Sequence, residues 1–175
     1  MGFSVTIASS IVLIGLLAAF TSVSVALFQS LNELSYTTKE YLNRERERLD
    51  VKLQLEVEGV NATSCNVTVR NTGCKTIFLQ SQNGFQWNTI VISYGNNSYW
   101  WSYTVEEYEI LEIKVSETSH FFDSSNHNFI NPGEEARILF SISAEAPEIP
   151  IQGVVFVVFA THYGVAASGE VVREQ

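Results

Sequence analysis

The sequence predicts an all-β domain, an antiparallel sandwich, preceded by one long N-terminal α-helix. Three observations predict it. Met1 to Asn32 holds no charged side chain, the first being Glu33. From Glu33 to about Arg48 the residues keep an approximate 3–4 spacing without Gly or Pro. From Val51 onward the period changes to strict alternation, broken at regular intervals by turn residues.

The first stretch is long enough to cross a bilayer. A hydrocarbon core about 30 Å thick needs about 20 apolar residues in a helix, and Val5 to Phe28 supplies them. Thr6, Ser9, Ser10, Thr21, Ser22 and Ser24 interrupt the run. Hydroxyls of this kind bond back to a carbonyl one turn earlier, so lipid tolerates them. A cleaved secretory signal is the alternative. It fits poorly, because no Lys or Arg precedes the run and the run exceeds a signal core of about 7–15 residues. A helix buried in a soluble protein would carry a polar stripe, and none is found. Leu31, Leu34, Thr38, Tyr41, Leu42, Glu45 and Leu49 then continue the helical spacing, with Glu40 and Arg44 as an i,i+4 pair. Residues 1–32 are therefore read as a transmembrane helix, 33–50 as a helical stalk and 51–175 as the sandwich.

In the sandwich, Val51, Leu53, Leu55 and Val57 alternate with Lys52, Gln54, Glu56 and Glu58, the pattern of a half-buried strand. Cys65, Val67 and Val69 give a second, turned by Asn71-Thr72-Gly73. Further strands are expected over Thr76–Gln80, Trp87–Tyr94, Tyr99–Val105, Ile110–Val115 and Ala136–Ser143. Ser116 to Pro132 reads as a polar loop holding Phe121, Phe122 and Phe129, and Asn131-Pro132-Gly133-Glu134 is a turn signal. Val154–Tyr163 is apolar nearly throughout, which predicts a central strand covered on both faces, and Gly164 turns it back into Val165–Val172. Seven to nine short strands on this plan make an antiparallel sandwich.

Of a formal net charge of −9, residues 1–50 carry −1 and residues 51–175 carry −8. An acidic domain disfavours nucleic acid and anionic lipid as partners, since both need a basic face. No Gly-x-Ser-x-Gly, phosphate-binding Gly loop or recognisable Cys–His spacing occurs, so no enzyme activity and no cofactor are expected. His120, Asp123 and His127 lack the spacing of a strong metal signature, and Glu106, Glu107, Glu109 and Glu112 read as a solvated face without a calcium-loop pattern.

Asn61, Asn66 and Asn96 begin N-glycosylation sequons. Asn61 and Asn96 fall in turns and Asn66 on the polar face of its strand. Two cysteines are too few for a disulfide framework but allow one bond. If 64–70 and 73–80 form a tight hairpin, Cys65 faces Phe78 and Cys74 faces Val69, too far apart for Cα atoms that must approach within about 7 Å. A Cys65–Cys74 bond requires the following strand to cross to the other sheet. Aromatic residues crowd 85–108. Core packing is the simpler account of them, because such rings dominate sandwich cores. Alternation places Tyr99, Trp101 and Tyr103 on one face and Trp100 on the other, so one face of this group is the candidate partner surface.

Met1-Gly2-Phe3-Ser4-Val5, followed by a long uncharged helix, a charged stalk and a small β domain, resembles the archaellum (archaeal flagellum) accessory protein F family, FlaF or ArlF. Val67-Thr68-Val69-Arg70-Asn71-Thr72-Gly73 and the turn at 131–134 are similar to the immunoglobulin-like sandwich shared by archaellins, this family and archaeal pilins. The resemblance implies an immunoglobulin-like domain outside the cytoplasmic membrane, beneath the surface layer. It implies binding to surface-layer protein, anchoring of the motor as a stator-like element, contact with other archaellum components, and a homodimer or homo-oligomer. The positive-inside rule taken alone points the other way, because the nearest cations, Lys39, Arg44, Arg46 and Arg48, follow the helix. If the lipid-spanning part ends near Val25, Lys39 lies 14 residues beyond it and the others further, and the rule weakens. Gly2-Phe3 also resembles a prepilin cleavage point without the usual preceding basic residue, so a filament-forming subunit of the pilin or archaellin type is the alternative.

Overall fold

The computed structural model describes residues 2–80, 85–96, 98–122 and 126–174, with side chains from Ile7 onward. The chain divides into two units, Met1–Arg46 and Glu47–Gln175.

Helix α1 runs Gly2–Asp50. Its apolar window has a mean hydropathy of 2.5 and none of it is buried. Ile11, Ile14 and Phe20 are 65%, 65% and 73% exposed. By length and composition this helix can cross a membrane. The hydroxyls do what lipid requires of them. Thr21 Oγ1 and Ser22 Oγ both donate to the Ala18 carbonyl, at 2.9 and 2.8 Å, and Ser24 Oγ donates to that of Phe20 at 2.8 Å. Arg44 Nη2 meets Glu40 Oε1 at 2.5 Å, the expected i,i+4 pair.

The second unit is an antiparallel sandwich. Its strands are β1 Leu53–Val60, β2 Ser64–Asn71, β3 Ile77–Phe78, β4 Thr89–Gly95, β5 Trp100–Val105, β6 Tyr108–Val115, β7 Phe121–Phe122, β8 Phe129–Ile130, β9 Glu134–Ser141, β10 Val154–Ala160 and β11 Ala166–Val172. One sheet has the order β1-β2-β9-β6-β7 and the other β11-β10-β4-β5, with β3-β8 as a separate pair. Alternation decides what each face does. Val67, Val69, Ile113 and Ile138 of the first sheet are fully buried, as are Ile90, Ile92, Tyr94, Val155, Val157 and Phe159 of the second. Each such side chain contributes on the order of 1.5–3 kcal/mol. At one seam, Gly169 of β11 lies against Leu55 of β1.

Of the two courses the sequence left open after β2, the tight hairpin between 64–70 and 73–80 does not form, because β2 pairs with β1 and β9 while β3 pairs with β8. Buried Asn71 is the cause. Its Nδ2 donates to the carbonyls of Lys75 at 2.7 Å and Ile130 at 2.9 Å, and its Oδ1 accepts from the Gly73 N–H at 3.0 Å. The turn is also tied to 50–52, since Thr72 N donates to Lys52 O at 2.9 Å and Cys74 N to Asp50 O at 2.7 Å. Strand β10 is central, as expected, between β11 and β4. It is covered on its inner face only: Phe156 and Val158 are half-buried and Val154 exposed, because hydrogen-bonded neighbours shield a strand's backbone but not its outer side chains.

The polar loop 116–132 contains two short strands, β7 and β8. It ends where it was expected to turn. Glu134 N donates to Asn131 O at 3.0 Å, with Pro132 and Gly133 between and Gly133 at φ 84°, a type II turn.

Candidate functional site

The β4–β5 hairpin carries the aromatic group. Asn96 closes it. Its N–H donates to Tyr99 O at 2.9 Å, and its Oδ1 accepts from Ser98 N at 2.9 Å and Tyr99 N at 3.0 Å. Tyr94, fully buried, is the anchor. Its ring lies 5.9 Å from that of Trp101 and 6.1 Å from that of Tyr103, and its hydroxyl donates to Pro147 O at 2.6 Å. Burial, with the nearby Tyr103, raises the Tyr94 pKa. Trp101 and Tyr103 are half-buried on this inner side. Tyr99 stacks on Trp101 at 6.0 Å yet stays 67% exposed, and Trp100 is 55% exposed on the outer face. The four aromatic residues therefore divide: Trp101 and Tyr103 complete the core, while Tyr99 and Trp100 form the free surface.

Below this hairpin lies a cleft of about 510 Å³, whose walls include Tyr103–Glu109 on one side and Leu139–Ala144 on the other. Glu106, Glu107 and Glu109 at this cleft are exposed. Glu112 instead meets Arg137 Nη1 at 3.5 Å.

The sequons differ in setting. Asn61 and Asn96 are exposed in turns. Asn66 is half-buried in a strand paired on both sides, and its Nδ2 donates to Glu58 at 3.4 Å. The thiols are both free, Cys65 buried and Cys74 exposed. Nine positions separate them, and β2 alone carries the chain about 20 Å between them, against the roughly 7 Å a bond allows. Burial pushes the Cys65 thiol up to about 12. His120 is exposed and Asp123 lies outside the described residues. His127 Nε2 meets Glu134 Oε2 at 2.9 Å, and the same oxygen accepts from Asn131 N at 2.7 Å. That carboxylate serves the turn. Among the described residues no three His, Cys, Asp or Glu side chains gather to hold a metal ion.

One feature escaped the sequence reading. Phe122, His127, Phe129, Phe78, His162, Trp87 and Phe85 form a continuous row of ring contacts, with centroid spacings of 4.3, 4.0, 6.2, 6.1, 6.0 and 5.4 Å. The phenylalanines of the polar loop were the signal for it, because apolar rings in a polar segment must find cover.

No family model matches the chain, and no curated protein matches it by sequence. Solved structures do. The chain is similar to one in the archaeal flagellum of Methanospirillum hungatei strain JF1, with a TM-score of 0.60 and 11% identity over 96% of this chain and 93% of that one. The two share the fold across their length. Two further similarities are to the archaellum periplasmic stator protein FlaG of Sulfolobus acidocaldarius (TM-score 0.41, 15% identity, 69% of this chain and 100% of that one) and to the FlaF and FlaG stator complex of the same organism (TM-score 0.39, 17% identity, 67% and 88%).

Proposed function

We propose that this chain is a membrane-anchored component of the archaellum. Helix α1 spans the cytoplasmic membrane once, and the sandwich works outside it, beneath the surface layer. The role is mechanical and not enzymatic: the sandwich binds surface-layer protein and holds the motor against it as a stator-like element, in contact with other archaellum components. The observation that carries this reading is the wholly unburied apolar stretch of α1 in one chain with a sandwich, and a fold likeness to the archaeal flagellum chain over 96% of this chain supports it. The Met1–Val5 segment and the turn at 131–134 support it through their family resemblance. Tyr99 and Trp100 are the proposed partner surface, and Asn61 and Asn96 the proposed glycan sites.

A filament subunit is the second reading. It is favoured by a fold likeness that includes the helix as well as the sandwich, and by Ala8, Gly15, Ala18 and Ala19, whose small size lets helices pack closely. The intact mass of protein extracted from native membranes separates the two. A chain that begins at Met1 or Gly2 and carries glycan mass supports the anchor. A chain that begins at Phe3 means leader cleavage and supports the filament. For the partner surface, Trp100→Ala weakens binding to surface-layer protein, and full-strength binding by that variant counts against it.

A further inference from the structure

Strand β5 is an open edge. It is terminal in its sheet and pairs with β4 alone. The hydrogen bond from Asn96 N to Tyr99 O fixes which residues bond across the hairpin. With antiparallel alternation, Trp101, Tyr103 and Val105 turn their backbone groups toward β4, while Trp100, Ser102 and Thr104 turn theirs outward. No described residue pairs with those outward groups. Sheets usually guard such an edge with a lysine, a proline or a bulge. Strand β5, WWSYTV, has no lysine or proline, and its register with β4 is unbroken.

The cleft adjoins this edge at its Thr104 end, between Tyr103–Glu107 and Ser141–Ala144. Charge selects what enters. Glu106, Glu107 and Glu109 line it, and no Lys, Arg or His occurs from Thr76 to Ile113. A second copy of this edge, WWSYTV, carries no cation to meet them. We infer that the β5 edge docks an extended polypeptide strand bearing Lys or Arg, which joins the sheet through the Trp100, Ser102 and Thr104 backbone groups and sets its cations against the three glutamates. This mode of recognition takes affinity from main-chain hydrogen bonds and specificity from alternate side chains. The inference stands apart from the archaellum reading.

The test is to pan a random nonapeptide display library against the full chain in detergent micelles, then synthesise the enriched peptides and titrate them. Enrichment of alternating β-branched or aromatic residues with Lys or Arg is expected. Ser102→Pro removes an outward N–H and keeps the backbone bonds to β4, losing only the 2.8 Å hydroxyl contact with Ser93, and lowers the affinity of those peptides at least about tenfold. Joint E106Q, E107Q and E109Q lowers it about fivefold and flattens its salt dependence. No enrichment, enrichment of acidic peptides, or binding indifferent to both variants overturns the proposal. So does a dimer that Ser102→Pro dissolves, which would make a second copy the occupant. If Ser102→Pro loses the native melting transition, the glutamine variant decides alone.

Discussion

The same kinds of side chain meet opposite fates in the two units. In α1, Leu13, Ile14 and Leu17 are 57–65% exposed, whereas in the sandwich Ile92, Ile138 and Val157 are fully buried. Water penalises both sets alike, but only the sandwich removes its apolar surface from water by its own folding. The helix leaves that task to a second solvent or to other helices. The contrast teaches that burial is read from pattern: alternation in the sandwich marks an inner and an outer face, and its absence in α1 marks a helix that is apolar all round.

Substitution can break this contrast from either side. The largest effect is expected in the core. Ile138→Ala leaves a cavity between the sheets and lowers sandwich stability by about 4 kcal/mol, measured by thermal or chemical unfolding. The same change at Leu13 leaves sandwich unfolding where it was. A charge in the helix comes next. Leu16→Arg costs about 3 kcal/mol of membrane insertion, seen as a smaller membrane-integrated fraction, with the sandwich melting unchanged.

Gly73→Ala tests the turn that stands where a tight hairpin was one possibility. A Cβ there would run into the backbone at Asp50 and Lys52, so the sandwich loses about 2 kcal/mol. The smallest effect is electrostatic and depends on pH. Burial pushes the Glu135 carboxyl up, but hydrogen bonds from Lys114 and Arg70 and the Arg70 charge outweigh it and hold the pKa below the usual value. A depressed carboxylate stabilises above its unfolded pKa, near 4.3, and loses that stability as pH falls through its folded value. Glu135→Gln therefore costs about 1 kcal/mol at pH 7, and the gap from the native chain closes below about pH 4. A gap that persists in acid means the loss is packing.

Much of this was legible in the residues. The uncharged run marked α1, and alternation marked β1, β2 and β9. Asn131-Pro132-Gly133-Glu134 announced a turn, and the structure makes it type II, where proline presets one φ and glycine permits the other. What stayed hidden depends on distant partners. Strand β8 is two residues long, too short to show a period, and its pairing with β3, inside the expected Thr76–Gln80 strand, joins Phe78 to Phe129 across the chain. The crossover after Asn71 rests on hydrogen bonds to Ile130, which no local pattern announces. The exposed pair was half visible: alternation separated Trp100 from Trp101, but only the inward anchor at Tyr94 shows which of them faces water.

The central claim is that α1 crosses the membrane and leaves the sandwich outside. Cys74, exposed, and Cys65, buried with its thiol pushed up to about 12, give a direct measurement. Intact cells are treated with a membrane-impermeant maleimide and the labelled cysteine is identified by mass. The account predicts labelling of Cys74 on intact cells, with Cys65 reacting only after denaturation. Labelling of Cys74 that appears only once the membrane is opened would place the sandwich in the cytoplasm and contradict it.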